Sequence, residues 1–190
     1  MSAPWRTTGL LLLAGCGGTA GQADPQPCAP VEAGAAAPAD AGGLAGEYRL
    51  ELVATSGDKR GDSAEGPLQL MPQEAAHQRL ELPGGIQDTA HRLPLYGSST
   101  ADWAAVGAVV PGDAASTDPT RPGVLVIEGP TQVLLRVGSE ANRRGVMRFD
   151  GAYTVLRVQQ ATDSTFAGTW ESGVRGNEAG GHFCASRAKG

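Results

Sequence analysis

From Leu44 to the C terminus the chain is broken at short intervals by glycine, proline and clusters of Asp, Asn and Ser. Between the breaks, apolar residues recur at every second position. In Glu47–Thr55 the run Tyr48, Leu50, Leu52 and Ala54 lies on one face, with Arg49, Glu51 and Thr55 among those on the other. Successive side chains of a strand leave opposite faces of the pleat, so a period of two marks a half-buried strand. No segment of any length carries a helical period to oppose it. With 28 Gly, 13 Pro and only 5% aromatic residues in 190, the chain is too heavily punctuated for a helical bundle and suits short strands joined by turns.

After Tyr48–Ala54, the stretch Gly57-Asp58-Lys59-Arg60-Gly61-Asp62-Ser63 supplies turn residues, and Pro67–Leu70 resumes the alternation, which predicts a first hairpin. Further strands are expected at Gln78–Leu82, Arg92–Tyr96, Trp103–Val110, Gly123–Glu128, Gln132–Val137, Val146–Phe149, Ala152–Gln159, Thr165–Glu171 and His182–Ser186. The junctions at Gly129-Pro130 and at Ala161–Ser164 are short enough to make their neighbours antiparallel, and Asp150-Gly151 reads as a tight turn or a bulge. About eight to ten short strands fit an all-β domain, either a two-sheet sandwich or a small antiparallel up-and-down β-barrel; consecutive hairpin spacing favours the barrel.

The N-terminal residues obey different rules. They place one positive charge, Arg6, before the apolar run Leu10–Leu13 and small residues before Cys16, which is the order of a secretion leader. The run is far shorter than the roughly 20 residues that cross a bilayer. The tetrapeptide Leu13-Ala14-Gly15-Cys16 closely resembles the lipobox of bacterial lipoproteins. That resemblance implies a signal peptide over residues 1–15, cleavage before Cys16, and a diacylglycerol on its sulfur that holds the chain to a membrane. Gly17, where retention in the inner membrane often takes Asp, points by the same resemblance to the outer membrane, facing the periplasm or the cell surface.

Residues 16–43 carry almost no large apolar side chains and are rich in Gly, Ala and Pro, Pro25, Pro27, Pro30 and Pro38 included, so they read as a disordered tether before a domain at 44–190. Cys28 has no packing reason to stand there. With Cys16 given to lipid, Cys28 and Cys184 remain, and in an oxidising compartment they either pair, pinning the tether to the last strand, or stay free thiols.

Candidate chemistry is sparse. Phe166-Ala167-Gly168-Thr169-Trp170 is similar to the Gly-x-Trp element of lipocalin and avidin-like barrels. Tyr48, Trp103, Tyr153, Phe166 and Trp170 fall in predicted strands and would either line a ligand pocket or fill the core. Arg136, Arg148 and Arg157 also fall in strands, where one turned inward would meet an anionic ligand. His77, His91 and His182 have no metal-ligand spacing, and no cofactor is implied. Gly61-Asp62-Ser63 lacks the neighbours of a hydrolase nucleophile and reads as a turn. Losing Arg6 with the leader leaves 14 basic against 20 acidic side chains, which argues against nucleic acid as a partner. The expectation is therefore a non-catalytic envelope lipoprotein binding a small or lipidic ligand or an envelope component. The alternative is a structural or interaction module with a filled core, or an inhibitor of an envelope enzyme.

Overall fold

The structure, a computed structural model, describes residues 28–32, 40–82, 85–111, 123–138, 152–174 and 177–188, and of 74–91, 174 and 177 the backbone alone. Among the described residues eight strands follow one another: β1 (Gly46–Ser56), β2 (Ser63–Leu82), β3 (Gly85–Ser99), β4 (Gly123–Glu128), β5 (Val133–Val137), β6 (Ala152–Ala161), β7 (Thr165–Val174) and β8 (Asn177–Arg187). Each pairs antiparallel with the next, and β8 pairs back onto β1 from Tyr48↔Arg187 to Ser56↔Gly180. The domain is a closed up-and-down barrel, consistent with the lipocalin- and avidin-like architecture. Each strand has one apolar face, and closing the ring turns all of those faces onto one axis while leaving no unpaired edge in the wall.

The alternation read from the sequence decides which residues point inward. Tyr48, Leu50, Leu52 and Ala54 of β1 are buried, as are Leu68 and Leu70 of β2, Val124 and Val126 of β4, Leu135 and Val137 of β5, Leu156 and Val158 of β6, and Phe183 and Ala185 of β8. Burying each such aliphatic or aromatic side chain contributes about 1.5–3 kcal/mol, and this single core is the main source of stability. A second, smaller cluster of Leu93, Leu125, Ile127 and Leu134 packs on the outer side of β3, β4 and β5.

Three strand assignments differ from the sequence reading. Pro67–Leu70 and Gln78–Leu82 are parts of one long strand, β2. Trp103–Val110 is not a strand: Trp103–Val106 form a 3-10 helix, capped by the Asp102 carboxylate, which accepts from Ala105 N, and ended by Gly107 at φ 76°. A left-handed residue there costs a glycine nothing, and the i, i+3 spacing of Trp103 and Val106 buries both on one side. Val146–Phe149, the Asp150-Gly151 turn, Arg148 and Cys16 lie outside the described residues.

The barrel has a lower end, holding Gly46, Glu128 and Ala161, and an upper end, holding Ser63, Gly123 and Asn177. Below the barrel, β2 and β3 run on as a two-stranded arm. β1 leaves β2 at Gly46↔Leu70 and β4 leaves β3 at Arg92↔Glu128, whereas the β2–β3 ladder continues to Leu82↔Gly85.

Candidate functional site

Both mouths of the barrel are closed by the chain itself. At the lower end a 3-10 helix, Ala41–Leu44, buries Ala41 and Leu44 against the core. Asp40 caps it by accepting from Gly42 N at 2.8 Å, and Ala41 N donates to Glu128 Oε2 at 3.0 Å. Glu128 also holds Arg92 at 3.3 Å, so one carboxylate fastens the plug to the rim. The core thus takes in Ala41 as well as Leu44.

At the upper end the segment from Ala101 to Val110 folds over the mouth as a strap. Two inward hydroxyls, Thr154 of β6 and Ser172 of β7, sit opposite each other in register and are almost wholly buried. Val109 N donates to Ser172 Oγ at 2.7 Å, the Thr154 hydroxyl donates to the Val109 carbonyl, and the two hydroxyls stand 2.8 Å apart. Four polar groups that would be costly to bury alone thus satisfy one another and fix the strap. The Trp103 indole N–H of the strap is buried and, among the described residues, has no hydrogen-bond partner.

Between the plugs the interior is packed with side chains. Tyr48 and Phe166 meet edge to face with centroids 4.9 Å apart, and Phe166 meets Phe183 in the same way at 6.0 Å. The Arg187 guanidinium lies 5.3 Å above the Tyr48 ring. Burial raises the Tyr48 phenol above its usual range, an effect opposed by Arg187. Trp170 reaches over Gly181 to donate from Nε1 to the Val53 carbonyl at 3.2 Å; a Cβ on Gly181 would lie 1.8 Å from that oxygen.

Of the five aromatics singled out in the sequence, Tyr48, Phe166 and Trp170 come together in the core and Trp103 joins it from the upper strap, not from a strand. Tyr153 is on the outer wall, half-buried, with its ring against Gly173; its phenol is raised by burial and by Glu171 and Glu178. Arg136 and Arg157 stand on the outer face of the wall, since Leu135, Val137, Leu156 and Val158 hold the inward positions, and Arg136 is nonetheless buried there, 7% exposed. Arg157 pairs with Glu171 at 3.5 Å and donates to Gln132. Phe183 was missed as a core aromatic, although alternation in His182–Ser186 puts it on the inner face. Thr154 and Ser172 were missed because their partner is a backbone group far along the chain.

The outer wall carries a second construction. Cys28 and Cys184 are joined by a disulfide with Cα atoms 5.6 Å apart, so the segment Cys28–Glu32 lies against β8. Beneath it His182 is 9% exposed, and its Nε2 donates to the Cys28 carbonyl at 3.2 Å. That bond requires a proton on Nε2, and among the described residues the buried Nδ1 has no hydrogen-bond partner. His77 and His91 belong to the β2–β3 arm, and among the described residues no group of His, Cys, Asp and Glu gathers in the manner of metal ligands. Among the described residues open recesses lie on the lower rim, one of about 240 Å³ over Glu47, Tyr48, Pro67, Gln69 and Ser98 and another of about 310 Å³ beside Asp40, Leu44, Asp163 and Arg187, at or below the low end of the size usual for drug-sized ligands. No family model, curated protein or solved structure matches this chain.

Proposed function

We propose that this chain is a lipid-anchored envelope protein whose barrel is a non-catalytic interaction module, recognising another envelope component through its outer surface. The observation that carries this reading is the closed interior. The inward aromatics pack on one another, and residues 41–44 and 101–110 stop the two mouths. A partner then meets the rims, the outer wall or the β2–β3 arm. The anchor rests on Leu13-Ala14-Gly15-Cys16, with lipid on Cys16 supplying the membrane attachment; two or three acyl chains are enough for lasting attachment without a spanning helix.

Native mass spectrometry of the protein extracted gently from membranes tests the reading. The expected result is a chain free of small molecules, with a protein partner recovered after cross-linking in cells. A stoichiometric small molecule held by the isolated barrel would overturn it. Metabolic labelling with a fatty acid tests the anchor separately: Cys16→Ser should abolish incorporation, and unchanged labelling would remove the anchor from the reading.

A second reading, a barrel that takes a small or lipidic ligand, draws support from the unpartnered Trp103 N–H and the Thr154–Ser172 pair under the upper strap. If the strap lifts, an acceptor on a ligand would find a donor there, with two hydroxyls beside it.

A further inference from the structure

We infer that the Cys28–Cys184 disulfide is a redox latch that sets how far, and by which face, the barrel hangs from its anchor. The inference rests on the lipid-anchor reading above. The chain meets the folded domain at two places, and they differ in kind. At the lower mouth Asp40 and Ala41 are held by backbone hydrogen bonding and burial as part of the plug. On the wall, among the described residues, Cys28–Glu32 meets β8 through the disulfide, the hydrogen bond from His182 Nε2 to the Cys28 carbonyl, and Cys184 Sγ at 3.8 Å from the Ala29 carbonyl. Breaking the S–S bond removes the covalent tie and leaves weak hydrogen bonds to the Cys28 and Ala29 carbonyls to hold a segment rich in small residues, so the attachment on the wall is lost while the plug stays.

The two attachments give different geometries. Cys28 is 12 residues from Cys16, a covalent span of at most about 40 Å. Asp40 is 24 residues away, which doubles that limit to about 80 Å and lengthens the mean span of a flexible chain about 1.4-fold. With the bond formed, the barrel is held by the middle of β8. In a ring of eight strands β4 then lies on the far wall, turned from the bilayer. With the bond broken, the barrel hangs from its lower mouth, and the β1, β7 and β8 wall is freed.

The chemistry is thiol–disulfide exchange with an extracytoplasmic dithiol. A thiolate of the donor attacks Sγ of Cys28 and the S–S bond breaks. Cys184 leaves as a thiolate and takes up a proton. The donor's second thiol then displaces Cys28, so the protein gains two electrons and two protons and the donor becomes a disulfide. Both cysteines are partly exposed, which admits the attack.

The test uses the mature lipidated protein in phosphatidylethanolamine/phosphatidylglycerol vesicles doped with a dansyl headgroup lipid. Trp103 and Trp170, the two tryptophans left after the leader is removed, act as energy-transfer donors. Reduction with a phosphine is expected to lower the transfer rate about fourfold, since transfer to a plane of acceptors falls as the fourth power of distance and the tether is about 1.4-fold longer. A Cys28→Ser/Cys184→Ser protein should show the lower value in both conditions. Transfer unchanged after thiol labelling proves both sulfurs free would overturn the latch, and so would loss of the near-ultraviolet circular dichroism on reduction, which would make the bond part of the fold. Cys16→Ser separates the two readings: full transfer from it sinks the anchor, not the latch. In that unanchored protein the latch is read at His182, whose modification by diethylpyrocarbonate should accelerate at least tenfold on reduction as the covering segment leaves; an unchanged rate overturns the proposal.

Discussion

Replacing Cys28 and Cys184 together by serine removes a cross-link between positions 156 residues apart. Loop-closure entropy for the unfolded chain alone would put the loss at about 5 kcal/mol. That figure assumes the bond costs the folded state nothing. Here it does cost something, because in the folded protein the same bond also closes a loop of 12 residues, from Cys28 to Asp40, which the plug holds at its other end. The two closures oppose each other, and the net effect is (3/2)RT times the logarithm of the ratio of loop lengths, about 2.3 kcal/mol. Urea unfolding of the leaderless Cys16→Ser chain, followed by tryptophan fluorescence, measures it. The double serine variant and the reduced parent should both be less stable by about 2 kcal/mol, with a larger dependence on urea because the uncrosslinked denatured chain is more expanded. A loss near 5 kcal/mol would refute the reasoning, since it requires the segment on β8 to stay ordered without its bond.

Gly181→Ala should destabilise the barrel by about 3 kcal/mol, because the new methyl meets the Val53 carbonyl and drives the Trp170 indole off its acceptor; a urea midpoint within 0.5 kcal/mol of the parent would contradict this. Tyr48→Phe should flatten the alkaline arm of the stability profile. The folded phenol titrates above its unfolded value of about 10, so its contribution is intact below that pH and is lost as pH climbs through the folded value. Thermal midpoints between about pH 9 and 11.5 should then fall less steeply in the variant, and identical slopes would argue against a buried Tyr48. Ser172→Ala leaves Val109 N without its acceptor and should cost about 1–3 kcal/mol, with faster hydrogen exchange at Val109; an unaltered rate would mean the strap is held elsewhere.

Local periodicity carried most of the fold. Tyr48, Leu50, Leu52 and Ala54 announce a strand with a wet side and a dry side, and the further short runs, about eight to ten strands in all, leave little but a barrel or a sandwich. The choice between those two depended on β1 meeting β8, a contact between the ends of the domain that no short window contains. Trp103–Val110 misled because its apolar run hides a three-residue spacing, although Asp102 before it and Gly107 within it are helix boundary signals. For the disulfide the sequence left pairing and free thiols open, because two cysteines remain once Cys16 is set aside but their distance depends on the fold. The upper strap was not legible, since its clamps join side chains to the backbone of Val109, and a backbone acceptor leaves no mark in a sequence. The same holds for His182 and the Cys28 carbonyl.

The seam between β1 and β8 also governs when the barrel comes into being. A chain made from its N terminus delivers β1 first and β8 last of the eight strands, so the wall stays open until β8 is available. Pairings of such long sequence separation form slowly. Until that last strand docks, β1 keeps an unpaired edge, and any partial fold of the wall is a sheet rather than a ring.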